Sequence, residues 1–476
     1  MNPTPKLRKT KVIATIGPVC DSIQTLCEMI RAGMNVARLN MSHGDAQSHS
    51  ATLKRIRQAA KMTGRPVAVM IDTRGREIRT GNLETGRALL EHHQQFTLYN
   101  DGRTGNEKGV SISYEQLYRH SRIDDRILLD DGQIELVVTK VTGSEIQCRV
   151  DCGGILRNNK GVNLPDNKTA FNHVPSDDIR EIDFAANHDV QYVAASFIRN
   201  AHEVVDFRNA LLKRGTDLPI IAKIENREGV DNLKSIIAAA DGIMVARGDL
   251  GVELELGEGP TIQKQIIHAT VSQGKPVITA TQMLNSMERN PRPTRAEISD
   301  VANAIFDGTS AVMLSGETAA GRRPVEAVQT MVRLAREAEA GLRRYGYLQQ
   351  IEPHPSNEVT EAVAQASITM ANHLNAAAII ALTETGFTSR LISKYRPDCP
   401  ILAITSSRPV VTRLAMNWGV LPILYEGDGG DDDKITFATS RAKELGYLKD
   451  NDLLILTAGS SKQAGSTDLI RVLTVK

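Results

Sequence analysis

The chain has 476 residues, and its 57 Lys and Arg against 56 Asp and Glu leave a net charge of +1. This balance argues against a nucleic-acid-binding or membrane-surface protein, because such proteins usually have a basic excess. Five cysteines are too few for a disulfide framework, which predicts a reducing, cytoplasmic compartment. No run approaches about 18 apolar residues, so we expect no membrane-spanning helix.

Eight short apolar runs, each typical of a buried strand, recur through the first 315 residues. They lie at 11–16, 34–39, 67–71, 191–196, 219–224, 242–246, 276–280 and 310–314. Most precede a stretch with helical periodicity, and this alternation predicts βα units around a parallel sheet. Eight such units predict an α/β fold with a closed (β/α)8 TIM barrel.

The spacing of the runs predicts further domains. The third and fourth runs start 124 residues apart, whereas other neighbouring runs start 23–34 apart. The excess alternates apolar and polar residues between turn signals, so it predicts an inserted small β-barrel lid. Helices and strands alternate again beyond Gly341, which predicts an open-sheet α/β domain. The expected limits are 1–75 and 173–341 for the barrel, 76–172 for the lid and 342–476 for the C-terminal domain.

Charged residues follow these strands, where a TIM barrel places its catalytic groups. Arg38 and Lys223 could neutralise charge on a transferring phosphoryl group. Glu225 and Asp249 could hold Mg²⁺ together with oxygens of the substrate. The combination indicates a phosphorylated, anionic substrate and a divalent metal ion.

Neutral groups occupy other strand ends. Gly248 lets the backbone approach a ligand closely. Thr281 and Ser315 provide hydroxyls suited to binding a carbonyl or relaying a proton. The oxygen ligands that could hold a second, monovalent cation are Asn40, Ser42, Asp72 and Thr73.

Individual motifs also have simpler structural explanations. Lys223 and Glu225 share one face of a strand and could form only an ion pair, and Asp72 could cap the next helix. A P-loop is absent because Gly274-Lys275 is followed by Pro276, and no Rossmann G-x-G-x-x-G follows a strand. The full set of strand-end residues is therefore the informative signal.

Longer segments resemble the pyruvate kinases. The matching segments span residues 10–476 and include GMNVARLNMSHG, DGIMVARGDLGVE, VITATQML and NPRPTRAEISDVANAIFDGTSAVMLSGETA. The resemblance implies transfer of a phosphoryl group from phosphoenolpyruvate to ADP, giving pyruvate and ATP with Mg²⁺ and K⁺ as cofactors. It also implies a homotetramer of subunits that each contain a barrel, a lid and an effector domain.

The resemblance also implies a role for each candidate residue. Lys223 would stabilise the transition state, and Thr281, Ser315 and Glu317 would act in protonating the enolate. The residues that would contact phosphoenolpyruvate are Arg38, Gly248, Asp249 and Thr281. Those that would contact the nucleotide are His43, Arg79 and Lys160. The ligands of Mg²⁺ would be Glu225 and Asp249, and those of K⁺ would be Asn40, Ser42, Asp72 and Thr73.

The chain departs from the family pattern at the junction of barrel and lid. The family commonly has Asp-Thr-Lys-Gly-Pro-Glu, whereas this chain has Arg74 and Arg76 in place of the Lys and the Pro. The loss of proline frees the backbone there, so lid motion could differ. Family members that work without K⁺ have a Lys where Glu77 stands, so Glu77 implies K⁺ dependence.

The loop 383–388 of the C-terminal domain resembles the family's effector-phosphate loop. Glu384 would repel a second phosphate, and Phe387 replaces a commonly basic residue. We therefore expect a monophosphorylated effector, a sugar phosphate or AMP, or none; an ordinary turn is the alternative. The residues that would bind the effector are Thr383, Thr385, Gly386 and Thr388.

Two other functions remain open from the sequence. A metal-dependent carbon–carbon lyase acting on an enolate of pyruvate would explain Arg38, Glu225 and Asp249 but would not need a nucleotide. A catalytically inactive metabolite-binding protein would bind ligands without turnover.

Overall fold

The computed structural model describes residues 8–165, 174–255, 257–346, 358–459 and 467–476. The predicted end of the lid at residue 172 lies outside these residues. No helix within them is long and apolar enough to cross a membrane.

The strands of the described residues form the barrel, the sheets of the insertion and the sheet of the C-terminal domain. In chain order they are β1 (Lys11–Thr15), β2 (Val36–Asn40), β3 (Ala68–Asp72), β4 (Arg87–Leu90), β5 (Gln95–Tyr99), β6 (Gly109–Ser111), β7 (Arg126–Leu129), β8 (Ile134–Val141), β9 (Glu145–Cys152), β10 (Gly154–Arg157), β11 (Val162–Asn163), β12 (Tyr192–Ala195), β13 (Ile220–Ile224), β14 (Gly242–Ala246), β15 (Val277–Ala280), β16 (Ala311–Leu314), β17 (Ala378–Leu382), β18 (Ile401–Thr405), β19 (Val420–Leu424), β20 (Leu453–Gly459) and β21 (Thr467–Thr474).

Most helices follow a strand of the barrel or of the C-terminal domain. In chain order they are α1 (Ile23–Ala32), α2 (Ala46–Thr63), α3 (Ser176–Ala186), α4 (Ala201–Leu212), α5 (Arg227–Asp231), α6 (Leu233–Ala239), α7 (Arg247–Glu253), α8 (Gly259–Ser272), α9 (Arg295–Phe306), α10 (Gly316–Ala319), α11 (Pro324–Tyr345), α12 (Glu358–His373), α13 (Phe387–Lys394), α14 (Arg408–Leu414) and α15 (Asp431–Glu444).

Eight parallel strands close into a barrel in the order β1-β2-β3-β12-β13-β14-β15-β16, with β16 pairing back to β1. Each corresponds to one of the eight apolar runs, so the predicted barrel is confirmed. Side chains that alternate along the strands fill its interior, including Val36, Met70, Ile221 and Met244. Beyond this apolar layer, the next inward positions of β2, β3 and β13 are Arg38, Asp72 and Lys223. These charged side chains make the C-terminal end of the barrel polar.

The residues between β3 and α3 form a separate sheet unit. Six strands lie in the order β11-β7-β8-β9-β5-β6, and β4 pairs with β10. Most pairs are antiparallel, and their inner faces enclose an apolar core around Phe96, Leu136 and Val150. The predicted β-rich insertion is therefore present after the third barrel strand.

The C-terminal domain contains a five-stranded sheet in the order β19-β18-β17-β20-β21. Only β21 runs antiparallel to its neighbour in this sheet of the described residues. The preceding helix α11 ends at Tyr345, four residues beyond Gly341, the expected limit of the barrel domain. Tyr345 packs against Phe306, so the helix continues along the barrel wall.

The C-terminal domain closes the N-terminal end of the barrel. Ala415 and Met416 pack against the side chains of the barrel interior, and Met416 is fully buried. The Tyr192 hydroxyl donates a hydrogen bond to the Arg413 carbonyl at 2.5 Å, at the start of β12. The catalytic end predicted from the sequence is therefore the opposite end, which faces the lid.

The single tryptophan of the chain lies at this junction. Trp418 is 1% exposed. Lys9 lies 5.2 Å from the centre of its ring, and Arg396 lies 4.8 Å from it. Arg396 also donates hydrogen bonds to the Gly308 carbonyl and the Ser310 hydroxyl, which link the domain to the barrel.

Candidate active site

Lys223 is the centre of a buried charge cluster at the C-terminal end of the barrel. Its Nζ lies 3.0 Å from Asp72 Oδ1 and 2.9 Å from Glu225 Oε1. On the far side of Asp72, Arg38 Nε lies 2.6 Å from Oδ2 and its Nη1 bonds Thr15. Two cations and two carboxylates from strands β2, β3 and β13 thus meet in one cluster.

The electrostatics of this cluster keep Lys223 protonated. Burial alone would lower the pKa of Lys223, but Asp72 and Glu225 outweigh burial and raise it above its usual range. Burial also favours a protonated Asp72, yet Arg38 and Lys223 together hold its pKa below the usual value. The cluster therefore presents a stable ammonium group at the end of β13.

The positive charge of Lys223 does not fully balance the buried carboxylates of Glu225 and Asp249. Burial raises the pKa of Glu225, and the neighbouring Asp249 adds to that rise against the effect of Lys223. Burial likewise raises the pKa of Asp249, and Glu77 and Asp131 contribute as like charges. Two buried carboxylates of this kind fit a hard divalent cation. No group of three or more His, Cys, Asp or Glu suited to a metal occurs in the described ranges.

A short turn after β12 orients both Lys223 and Glu225. Ser196 Oγ accepts a hydrogen bond from Lys223 Nζ at 2.7 Å. The Phe197 N–H donates to Glu225 Oε2 at 2.5 Å, and Phe197 has a φ of 55°. A positive φ at a bulky residue is strained, and such strain is found at functional sites where surrounding contacts enforce it.

Gly75 packs against this turn from the start of the lid. Its φ is +68°, and a Cβ there would lie 2.7 Å from Ser196 Cβ and 2.8 Å from Phe197 Cδ2. Because both distances are far shorter than an ordinary contact, only glycine allows the lid connection to approach the turn. The backbone N–H groups of Arg74 and Gly75 bond to Glu181 and Asp178 of α3, and burial raises the pKa of Asp178 to about 7.

Gly248 and Thr281 meet at the ends of β14 and β15. The Gly248 N–H donates to Thr281 Oγ1 at 2.8 Å, and that hydroxyl donates to the Ala280 carbonyl. Thr281 has a φ of 65° and Gln282 a φ of 54°, so the turn is strained. Arg247 holds it by donating to the Thr281 carbonyl at 2.7 Å.

Ser315 has a buried hydroxyl with no hydrogen-bond partner in the described part of the chain. Its N–H donates to Glu317 Oε2 at 2.7 Å, and the Leu284 N–H donates to Glu317 Oε1 at 3.0 Å. Glu317 therefore joins the chain segments at the ends of β15 and β16. An unpartnered buried hydroxyl is free to bond a ligand or a water.

The four residues whose oxygens are predicted to bind a monovalent cation lie at or just after the ends of the neighbouring strands β2 and β3. Asn40 and Asp72 are register partners across β2 and β3, and Thr73 follows directly. Asn40 Oδ1 accepts from the Ser42 N–H at 3.3 Å. Asp72 already contacts Arg38 and Lys223, but a carboxylate has about four lone-pair positions and can bind a further group.

The predicted nucleotide contacts are divided between the barrel and the lid. His43 is exposed beside α2, and its carbonyl lies 2.8 Å from His49 Nε2. Arg79 forms an ion pair with Glu77 at 2.6 Å, and Lys160 forms one with Asp130 at 2.8 Å. These two side chains contact carboxylates of the lid side rather than the Lys223 cluster.

Comparison with known proteins decides the family. The family model for the pyruvate kinase barrel domain matches residues 7–328, and the model for the pyruvate kinase alpha/beta domain matches residues 361–473. A pyruvate kinase of Geobacillus stearothermophilus is 46% identical over 469 residues, covering 98% of this chain and 80% of the relative. This chain belongs to the pyruvate kinase family.

Other relatives agree. A pyruvate kinase of Bacillus licheniformis is 43% identical over 472 residues, covering 98% of this chain and 81% of the relative. One of Clostridium acetobutylicum is 41% identical over 473 residues, covering 99% and 100%. The predicted family and pyruvate kinase function, with its phosphotransferase class, are confirmed. Pyruvate kinases are generally metal-dependent, which agrees with the pair of buried carboxylates, Glu225 and Asp249. The two alternatives, a lyase and a binding protein without activity, lose their basis.

Sequence reasoning missed several residues that organise this pyruvate kinase site. Ser196 ends an apolar run as the predicted catalytic residues do, so its position was a usable signal. Phe197, Asp178 and Glu181 gave no such signal, because their importance lies in bonds to residues far away in the chain. Arg247 lies in the segment DGIMVARGDLGVE, but its importance comes from its bond to the Thr281 carbonyl, 34 positions away, which no local pattern reveals.

The loop 383–388, for which the sequence predicts effector binding, lies on the C-terminal domain, away from the Lys223 cluster. Thr383 Oγ1 accepts from the Gly386 N–H at 2.9 Å, and Thr385 Oγ1 accepts from the Phe387 N–H at 3.4 Å. The Thr388 hydroxyl contacts that of Thr467 at 2.6 Å. Lys434 lies 3.8 Å from Glu384 and offsets part of its negative charge.

We expect Gly75→Ala to reduce kcat at least about tenfold, because its methyl group must displace the Ser196–Phe197 turn that orients Lys223. Gly64→Ala is the matched control, since Gly64 has a similar φ of +63° but nothing within 4 Å of a Cβ. Both changes incur the left-handed backbone penalty of about 1–2 kcal/mol. Steady-state kinetics and thermal unfolding of both variants check this, and equal kcat in the two would contradict it.

Proposed function

We propose that the Lys223 cluster transfers the phosphoryl group of phosphoenolpyruvate to ADP. The observation that supports this most is the buried Lys223, held between Asp72 and Glu225, which raise its pKa, at the barrel end that faces the lid. Phosphoryl transfer depends chiefly on positioning and on stabilising charge spread over oxygens. A fixed ammonium group in a buried site is suited to that task.

The first step is attack by a terminal oxygen of ADP on phosphorus, with cleavage of the bond to the enol oxygen. Lys223 Nζ would bond an equatorial oxygen of the transferring group, and Arg38 would bind its other side. Arg38 is 11% exposed and is held by Asp72, so its guanidinium is preset. Both cations are already oriented before substrate binds, which limits reorganisation in the transition state.

The second step is protonation of the enolate of pyruvate at its terminal carbon. Thr281 Oγ1 would contact the substrate near that carbon, while the Gly248 and Asp249 backbone would bind its carboxylate end. The Ser315 hydroxyl has no partner in the described residues and would pass a proton through a water. Glu317 positions Ser315 through its N–H rather than by contacting substrate.

The residues fit two kinds of cation. Glu225 and Asp249 would hold Mg²⁺, and Asn40, Ser42, Asp72 and Thr73 would hold K⁺. Bound there, the cations would neutralise negative charge on the phosphate oxygens. His43 would contact the nucleotide from the barrel, and Arg79 and Lys160 would contact it from the lid.

Three further predictions are part of the proposal. The domain limits at residues 75, 172 and 341 stay predictions, as does the homotetramer. The edge strand β21 has exposed apolar side chains, Leu469 at 47% and Val472 at 41%, and an exposed edge strand can pair with another chain. All five cysteines are unpaired, in keeping with a reducing compartment, and a cytoplasmic location stays a prediction.

We expect Lys223→Met to lower kcat by about 10²–10³-fold or more, because it removes the charge that the transition state requires. KM values should change little, since the loss is specific to the transition state. Lys234→Met is the matched control, because Lys234 is exposed on α6. Pyruvate formation from phosphoenolpyruvate and ADP is the measurement, and near-normal kcat in Lys223→Met would refute this role.

Turnover should require K⁺. With Mg²⁺ present, we expect faster pyruvate formation in KCl than in NaCl at equal ionic strength. Glu77→Lys should reduce that difference, because a Lys ammonium group would supply the positive charge that K⁺ otherwise brings to the site. Equal rates of the wild-type protein in both salts would contradict the proposed K⁺ site and would indicate Arg74 or Arg76 as a built-in cation.

We also propose that the loop 383–388 binds a monophosphorylated effector. The N–H groups of Gly386 and Phe387, which now bond the Thr383 and Thr385 hydroxyls, are groups that a phosphate would engage at the start of α13.

We expect AMP or a sugar monophosphate to raise activity at subsaturating phosphoenolpyruvate, and Thr385→Ala to weaken that response. Thr369→Ala on the exposed face of α12 is the control. An unchanged response in Thr385→Ala would exclude this loop as the binding site.

A further inference from the structure

The chain that leaves β3 for the lid is bonded to the barrel at three successive N–H groups. The Thr73 N–H donates to the Ala194 carbonyl at 2.9 Å. The Arg74 N–H donates to Glu181 Oε2 at 2.9 Å, and the Gly75 N–H donates to Asp178 Oδ1 at 2.8 Å. We call Thr73–Gly75 the first hinge segment. Its position is therefore set by hydrogen bonds to the barrel rather than by the lid.

Two of the three acceptors are carboxylates of α3, the first helix after the lid. Asp178 and Glu181 are three positions apart, so they lie on the same face of the helix. Asp178 is 1% exposed and Glu181 is 7% exposed. Residues that follow the lid in the chain thus hold the backbone that precedes it, and the lid's entry and exit are bonded together.

Burying the carboxylates of Asp178 and Glu181 opposes folding. Asp178 Oδ2 is buried and has no hydrogen-bond partner among the described residues, while Oδ1 accepts from Gly75. Asp178 also lines a cavity of about 340 Å³ between the hinge, the barrel and the lid. Leaving one carboxylate oxygen buried and unpaired opposes folding, which indicates that the residue serves another purpose.

The first hinge segment contacts the Ser196–Phe197 turn directly. Ser196 Oγ donates to the Thr73 carbonyl at 2.5 Å, and Gly75 leaves no room for a Cβ beside Ser196 and Phe197. Through Ser196 and Phe197 the contact continues to Lys223 and Glu225. A displacement of the hinge segment would therefore move the lid and disturb the orientation of the catalytic lysine.

We propose that Asp178 and Glu181 are positioning residues that fix the first hinge segment, so that the lid closes in the geometry needed to bind the nucleotide. This inference rests on the proposed phosphoryl transfer, in which Arg79 and Lys160 of the lid contact ADP. Neither carboxylate touches the reacting atoms. Their effect is exerted through the backbone of Arg74 and Gly75.

The test compares Asp178→Ala with Asp178→Asn. The alanine removes the acceptor of the Gly75 N–H, whereas the asparagine retains an oxygen at the same place. We expect Asp178→Ala to raise KM for ADP about tenfold, as for the loss of one well-formed hydrogen bond, with a much smaller change in KM for phosphoenolpyruvate. Asp178→Asn should restore KM for ADP to within about twofold of the wild-type value.

Asp177→Ala is the matched control on the same helix. Asp177 is 35% exposed and contacts the side chain of Arg74 at 3.6 Å, not its backbone. We expect its KM values to equal those of the wild-type protein. Glu181→Ala should behave as Asp178→Ala does, and it tests the inference even if Asp178→Ala fails to fold.

Three outcomes would overturn the inference. They are an Asp178→Asn variant as impaired as Asp178→Ala, equal rises in both KM values together with a lowered Tm, and unchanged KM for ADP in Asp178→Ala and Glu181→Ala. Each presumes a wild-type protein that converts phosphoenolpyruvate and ADP to pyruvate. Absence of turnover in the wild-type protein would instead refute the proposed function, so the two failures are distinguishable.

Discussion

The contact of Lys223 with two buried carboxylates is the constraint on which the site depends. A buried ammonium is tolerable only because Asp72 and Glu225 lie within 3.0 Å of it. Each partner is in turn held elsewhere, Asp72 by Arg38 and Glu225 by the Phe197 N–H. Loss of one partner from such a cluster typically destabilises a protein by about 3–5 kcal/mol. The ion pairs that orient Lys223 therefore also stabilise this part of the fold.

The two ends of the barrel differ in structure: one is closed by packing and the other contains the site. Its N-terminal end is closed by Ala415 and Met416 of the C-terminal domain, and the buried Lys11 there donates to the Val420 carbonyl. Its C-terminal end contains the charges, the strained turns at Phe197 and Thr281, and the connection to the lid. Strain and unpaired polar groups are tolerated at one end because close packing at the other holds the strands in register.

The sequence predicts the framework well because strands with charged residues at their ends leave a local signal. All eight barrel strands and the inserted β unit follow from such patterns, and Arg38, Asp72, Lys223 and Glu225 stand out in the sequence as polar residues at or just after strand ends. The supports were not predictable in this way. Asp178 bonds Gly75 across 103 positions, and Met416 packs into a barrel whose last strand ends at Leu314, so no local pattern reveals either contact. The shared use of Asp72 by Arg38 and Lys223 likewise depends on three-dimensional proximity alone.

The place of Trp418 has a consequence for optical spectroscopy. The chain has one indole, and it is enclosed between Lys9 and Arg396 where the barrel meets the C-terminal domain. Tryptophan emission from the protein chain therefore originates at one point, with two cations whose distance from the ring affects its electronic environment. Any rotation of the C-terminal domain against the barrel would change that emission without an added label. Events at the lid, which adjoins the opposite end of the barrel, would be registered only if they were transmitted through it.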